Sequence, residues 1–471
     1  MSFCTSDRSL PQRFSLVLKS FLQKPGLPFA DVLKETSIQA AFDDEGIAFP
    51  KAGDEIYAPA VTLWAFLSQV LFKGEQRSCA AAVARVAVLM AAFGTKVSGN
   101  TGAYCRARAK SPETVLRRLT REIANKAESA VPRGWLWCRR NVHLIDGTTV
   151  SMPDTDDNQE VWPQAKTQKQ GLGFPIARMV LLFSLATGMV SDMAMGPYKG
   201  KETGETALLR EIMDRLKTGD ILLADGYYCS YFMIALLRER GLDCVMRLHH
   251  RRKANFRRGR RLGQRDHVVS WMRPPQPAWM EDEIYNSMPE SMEMRELYVS
   301  IDQPGFRTDS LVVVTTLTDA ERYANDDLAE LYHRRWLAEL DIRSIKISLG
   351  MDVLRCKSPE MVRKEIWTCL LAYNLIRKTM LDAARTSKLS PRQLSFTAAM
   401  QKIAASWVAS PLMDEETIER VIEVFLADMA QYKVGDRPDR YEPRAIKRRP
   451  KPHKLLTQPR KVARERLAMA S

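Results

Sequence analysis

The sequence predicts a mixed α/β protein in which a sheet is set between two helical regions. Three observations carry this prediction. Short β-branched runs alternate with amphipathic helical patterns from about residue 139 to 250, and helical periodicity fills the chain before and after them. The apolar fraction of 45% and the charged fraction of 27% are those of a folded chain. A length of 471 residues allows about three domains.

Residues 1–138 read as helical. VTLWAFLSQVLF and SCAAAVARVAVLMAAF have helical apolar spacing, and SPETVLRRLTREIANKA opens with a Ser-Pro-Glu start signal. Between them GNTGAYCRARAK carries Arg106, Arg108 and Lys110, which suits a docking surface and a plain helical subdomain equally. From residue 139 the pattern changes. NVHLIDGTTVSMP is a strand, and ARMVLLFSLATGMVSDMAMG is a hairpin divided at Thr187-Gly188. ETALLREIMDRL is a helix, DILLADGYY a strand buried on both faces, SYFMIALLRERG a helix ended by Gly241, and LDCVMRLHH a strand. Strand, strand, strand, helix, strand, helix, strand is the order of the ribonuclease-H-like fold, a mixed sheet flanked by helices.

An interruption follows. Residues 251–309 hold a basic run, the segment RPPQPAW and strand-like MRELYVSI, which together read as an inserted basic, β-rich domain. The core therefore splits into a first part at 139–250 and a second at 310–400. The second part opens with SLVVVTTL and continues into one long helix, DDLAELYHRRWLAELDIRSIKISLG. Residues 401–471 form a helical region and a tail, RPDRYEPRAIKRRPKPHKLLTQPRKVARER, whose alternating prolines and basic residues predict an extended chain. There is no internal repeat and no Walker-type or dinucleotide-type glycine loop.

The eight cysteines are scattered without a close pair at metal-ligand spacing, which argues against zinc and disulfides and fits a reducing cytosol. The N-terminus has no secretory pattern, and the most apolar stretch, Cys79 to Phe93, contains Arg85 and is too short to span a bilayer. A cytoplasmic protein without a membrane partner is expected. The net charge of +15 is concentrated. Thirteen Lys/Arg against four acids lie between Lys433 and Ser471, and eight with no acid lie between His249 and Arg265. The rest is near neutral. One basic tail could be merely solvated, but two patches on a neutral body point to a polyphosphate partner, since neutralised phosphates release condensed counterions. Arg251, Arg252, Lys253, Arg257, Arg258, Arg260 and Arg261 are the candidate phosphate contacts in the first patch.

Phosphodiester chemistry by two metal ions needs carboxylates converging from distant parts of a chain. Asp146 lies amid apolar residues in VHLIDGTTV, and Asp225 ends the otherwise apolar ILLADGYY. A carboxylate in a buried strand is unfavourable unless paired or bound to a cation. Asp-Gly is also a hairpin signal, so each reads either as a turn residue or as a placed ligand. The acids Asp154, Asp156 and Asp157 read as an exposed loop. On the long helix, at about 100° per residue, Tyr332, Arg335, Glu339 and Lys346 fall within about 60° of one another. They flank an apolar stripe of Leu331, Ala338, Ile342, Ile345 and Leu349. By spacing alone a solvated face with Glu339–Arg343 pairing is the favoured reading.

Tyr332, two residues, Arg335, three residues, Glu339, six residues, Lys346 resembles the Tyr-Arg-Glu-Lys signature of the Asp-Asp-Glu transposases of the fourth bacterial insertion-sequence family. LIDGTTV and LLADGYY are similar to that family's first and second motifs. Their separations, 79 residues from Asp146 to Asp225 and 114 from Asp225 to Glu339, fit a member with an insertion before its catalytic helix. Gly226 departs from the pattern, where many members carry Arg. The resemblance implies that Asp146, Asp225 and Glu339 hold two Mg²⁺ or Mn²⁺ ions, and that Tyr332, Arg335 and Lys346 hold DNA phosphates near the cut. It implies cut-and-paste excision and integration through a DNA hairpin, with an aromatic of the insert, Trp271 or Trp279, stacking on a flipped base. The implied partners are double-stranded DNA (the element's terminal inverted repeats and the target) and a second copy of the chain in a synaptic complex. The N-terminal helices would then bind element ends, and the location would be the bacterial nucleoid. Two other readings stay open: an element-derived DNA-binding protein without catalysis, and a ribonuclease-H-like nuclease without strand transfer.

Overall fold

The computed structural model describes residues 35–46, 56–92, 94–300, 310–407, 415–434 and 457–470. Its N-terminal part is helical: α1 (Glu35–Asp44), α2 (Pro59–Leu71), α3 (Cys79–Ala92), α4 (Gly102–Lys110) and α5 (Glu113–Ser129). Pro112 stands at the N-cap of α5, where its fixed φ and missing N–H are harmless. The core begins with β1 (Val142–Ser151), the short α6 (Asp156–Val161), and the hairpin β2 (Ile176–Ser184) and β3 (Val190–Pro197). Gly188 turns that hairpin at φ +75°, a conformation that glycine enters without a Cβ penalty. Then come α7 (Glu205–Ile212), β4 (Ile221–Ala224), α8 (Tyr231–Glu239) and β5 (Asp243–Arg247).

The strand order through these elements is β3-β2-β1-β4-β5, with β1, β2 and β3 antiparallel and β1, β4 and β5 parallel. That is the ribonuclease-H-like sheet. The inserted segment supplies β6 (Arg260–Gly263), β7 (Asp266–Met272), α9 (Asp282–Ser287) and β8 (Ser291–Ser300). These strands continue the core sheet. β9 (Ser310–Thr315) pairs antiparallel with β5 on one side and β8 on the other, giving nine strands in the order β3-β2-β1-β4-β5-β9-β8-β7-β6.

Where one long helix was expected there are three pieces: α10 (Asn325–His333), α11 (Trp336–Arg343) and a π-helical turn, Ser344–Ser348. Between α10 and α11 the backbone tightens to i→i−3 bonds, Arg335 N–H to Tyr332 O and Ala338 N–H to Arg335 O, both 3.0 Å. Tight turns advance the side chains by more than 100° per residue and wide turns by less. The two irregularities act in opposite senses, and the expected stripe stays inward: Leu331, Ala338, Ile342, Ile345 and Leu349 are all buried. Burial of each large aliphatic among them is worth about 1.5–3 kcal/mol, enough to hold the segment against its irregular turns. Helix propensity carries no signal of such breaks.

The 28-residue α12 (Pro359–Thr386) is followed by α13 (Phe396–Ser406), α14 (Glu415–Gln431) and α15 (Arg460–Ala470). The tail expected to be extended is thus helical in RKVARERLAMA, which has no proline. Residues 437–456 of it lie outside the described residues. Leu144 and Leu223 pack on one sheet face with Ala338, Ile342 and Leu371, in a core that also takes in α2, α3 and α5. Ile145 and Leu222 pack on the other face with Leu208 and Leu209 of α7 and Ile234 of α8. Among the described residues, no helix is long and apolar enough to cross a membrane.

Candidate active site

Register brings the first two acids together. Leu144 of β1 pairs with Leu223 of β4 in parallel, and Asp146 and Asp225 each lie two residues further on. Side chains alternate with period two, and neighbouring strands run about 4.8 Å apart. Asp146 and Asp225 therefore stand side by side on the face of Leu144 and Leu223. This is the carboxyl end of the parallel strands, where open α/β sheets receive ligands. On that same face α11 packs against β1 and presents Glu339.

The electrostatics show the three acids sharing one corner. Burial lifts the Asp146 carboxyl to about 6; the Arg335 charge and the Gly147 N–H oppose this, and the charges of Asp225 and Glu339 reinforce it. The Gly147 N–H donates to Asp146 Oδ1 at 2.9 Å, and the Tyr227 N–H donates to Asp225 Oδ1 at 2.8 Å. Glu339 Oε1 accepts from Arg335 Nη2 at 2.9 Å. One arginine thus serves both Asp146 and Glu339. Among the described residues, no three of His, Cys, Asp or Glu are gathered at ligating distance. As a donor set, the carboxylate oxygens of Asp146, Asp225 and Glu339 are of the kind that the hard cations Mg²⁺ and Mn²⁺ take.

The other residues of the signature occupy different surroundings. Tyr332 is buried, and its phenol is pushed up to about 12, chiefly by burial, with Arg335 opposing and Asp225 adding to the shift. Lys346 reaches β1: its ammonium donates to Thr149 O at 2.8 Å and lies 3.3 Å from Thr148 Oγ1. Gly226 lies against the end of β5, where a Cβ would meet the carbonyl oxygens of Arg247 at 3.3 Å and Leu248 at 3.4 Å.

The basic run leaves β5 beside Asp225, whose charge reaches His249. Arg251, Lys253, Arg257, Arg258, Arg260 and Arg261 are exposed. Arg260 and Arg261 lie on β6, the outermost strand of the extended sheet, where charged side chains also discourage pairing with another edge. Arg252 instead covers the Trp271 ring at 3.9 Å. Trp271 is buried and its indole N–H donates to Glu296 Oε1 at 2.8 Å. Trp279 is 37% exposed, with Arg210 over its ring at 3.9 Å.

Glu205 lies in no sequence motif, and Tyr228, the last residue of LLADGYY, carries no catalytic signal of its own. Glu205 opens α7, and the buried Tyr228 hydroxyl donates to its Oε2 at 3.2 Å. Burial raises the Glu205 carboxyl; the Tyr228 bond and Arg178 oppose that, while the Asp225 charge adds to it. The available signal is Gly147, a glycine inside a strand, which marks a place where another group comes close.

The family model described as "Transposase DDE domain" matches residues 137–375. The chain is 28% identical over 367 residues to transposase InsG of insertion sequence element IS4 from Escherichia coli K12, covering 76% of this chain and 78% of that one. It is 35% identical over 65 residues to the putative transposase InsL of element IS186A from the same organism, covering 14% of this chain and 18% of that one. A cryo-EM structure of a piggyBac transposase synaptic complex with hairpin DNA aligns at a TM-score of 0.42 and 8% identity, over 88% of this chain and 84% of that one. With its model spanning half the chain and both Asp-bearing strands and the Glu-bearing helix inside the match, the chain belongs to the DDE-domain transposases, with IS4-like relatives.

Proposed function

We propose that Asp146, Asp225 and Glu339 hold two Mg²⁺ or Mn²⁺ ions and that the chain excises and integrates its own element by cutting and joining DNA strands. The chemistry that such a bound pair supplies is activation of the attacking water or 3′-hydroxyl and stabilisation of the leaving oxygen. The observation that carries this reading is the register, which sets Asp146 beside Asp225 while α11 brings Glu339 onto the same face. Arg335 lies among these acids and Lys346 beside β1, so a scissile phosphate at the corner meets a planar fork and a point charge. The exposed arginines after β5 continue a positive path for double-stranded DNA, with the terminal repeats and the target as its substrates. A second copy of the chain would hold the other element end, and Trp279, which keeps exposed surface, would stack on a base displaced by hairpin formation.

The test is to incubate the protein with end-labelled DNA of its own element ends and Mg²⁺, then size the products under denaturing conditions. Nicked, hairpin, fully cut and joined species are expected in that order. Cutting without joined product would make the chain a nuclease. Binding without cutting in either Mg²⁺ or Mn²⁺ would make it a DNA-binding protein without catalysis.

A further inference from the structure

An acid in the first turn of a helix is ordinary, because the positive end of the helix dipole favours it. Glu205 has such a place on α7, but its surroundings go further. α7 covers the sheet face opposite α11, and there its first residue meets β1 at Gly147, the residue after Asp146. A Cβ on Gly147 would fall inside the Glu205 carboxylate, so only glycine lets that carboxylate lie on the strand backbone. The carboxylate is also fixed from a second side. Tyr228, in the turn after Asp225, is fully buried and donates its hydroxyl to Glu205 Oε2 at 3.2 Å. The charges of Glu205, Asp146 and Asp225 all act on that phenol. Among the described residues Glu205 makes no ion pair; Arg178, the cation whose field reaches it, donates instead to Thr203 O at 3.0 Å.

We propose that Glu205 is a fourth carboxylate of the cation site, entering from the α7 face through the gap that Gly147 leaves, with Tyr228 as its positioning residue. This rests on the reading that the three acids hold divalent ions. Two divalent ions carry four positive charges and three carboxylates neutralise only three of them. Glu205 supplies the fourth, with the oxygen donors these cations take. Gly147 and Tyr228 thereby acquire a shared purpose: one makes room for the carboxylate and the other aims it.

The test measures Mn²⁺ binding to the full-length protein without DNA, reading free Mn²⁺ by electron paramagnetic resonance. Glu205→Gln keeps the shape and an acceptor for Tyr228, and should weaken Mn²⁺ binding about tenfold or more, with Tyr228→Phe showing a smaller loss in the same direction. Melting in chelator should stay near wild type for Glu205→Gln, showing that the fold is intact. Asp225→Asn is the reference. If it loses Mn²⁺ while Glu205→Gln binds like wild type, Glu205 serves only the helix end and the proposal is overturned. If Asp225→Asn also binds like wild type, the cation reading of the whole corner fails, and this proposal with it.

Discussion

Glu339 and Asp341 stand two residues apart on α11 and meet opposite surroundings. Asp341 is fully buried, and two arginines close on it: Arg377 on Oδ1, and Arg392 on Oδ2 at 2.6 Å. Arg392 also donates to Ser184 O and Leu185 O, and the Tyr373 hydroxyl donates to Gly188 O, so this corner fastens α11 and α12 to the β2–β3 turn. Asp192 on β3 is treated similarly, with Arg117, Arg121 and Arg215 around it. On the other side of α11 the ratio reverses. Asp146 and Glu339 share Arg335, Asp225 adds its charge to theirs, and Glu205 lies at Gly147. An acid surrounded by arginine forks is part of the scaffold. Acids that outnumber their cations are suited to receive one.

The sharpest way to break this comparison is to remove charge from the acid-rich corner. Asp146→Asn, Asp225→Asn and Glu339→Gln should each lower cleavage by more than about ten-thousandfold, roughly 5 kcal/mol of transition-state stabilisation, with end binding changed only a few-fold. Near wild-type cleavage by any one of them would remove that acid from the site. The arginine-rich corner should respond in stability instead. Asp341→Ala removes the carboxylate that the buried Arg377 and the half-buried Arg392 share and should cost about 3–5 kcal/mol in chemical denaturation. A loss below about 1 kcal/mol would mean that this corner is not a clamp.

Arg335 and Lys346 sharpen the division further, because neither can ligate a cation. Arg335→Ala and Lys346→Ala should still nick the first strand but slow the second-strand step about a hundredfold, through lost positioning alone. A time course that separates nicked from hairpin product reads this, and nicking lost as completely as in Glu339→Gln would refute it.

The smallest effect is a stability gain. Asp146 titrates near 6 in the fold against 3.8 unfolded, mainly because of burial. Its contribution to stability is therefore present below about pH 3.8 and lost as pH rises through 6. In chelator, Asp146→Asn should be more stable than wild type at pH 7.5 by on the order of 2 kcal/mol. The gain should fade as pH drops toward 4. Equal melting temperatures at pH 7.5 would show that burial does not disfavour the ionised Asp146 carboxylate.

Much of the catalytic core was legible because its signals are local. Short β-branched and apolar runs marked β1 to β5, glycines marked the turn of the hairpin and the end of α8, and helical spacing placed Glu339 beside a stripe that is indeed buried. Asp146 and Asp225 could be picked out because a carboxylate in an apolar strand needs a reason to be there. What only the tertiary structure decided depends on pairing across the chain. The parallel register of β1 and β4 is set by which faces bury together, and it alone makes Asp146 and Asp225 neighbours. The insert's continuation of the core sheet through β9, and the 3₁₀ and π turns around α11, follow from packing partners that local composition does not encode. Glu205 was invisible for the same reason: its neighbour Gly147 lies 58 positions earlier in the sequence, and only the folded sheet brings α7 onto that gap.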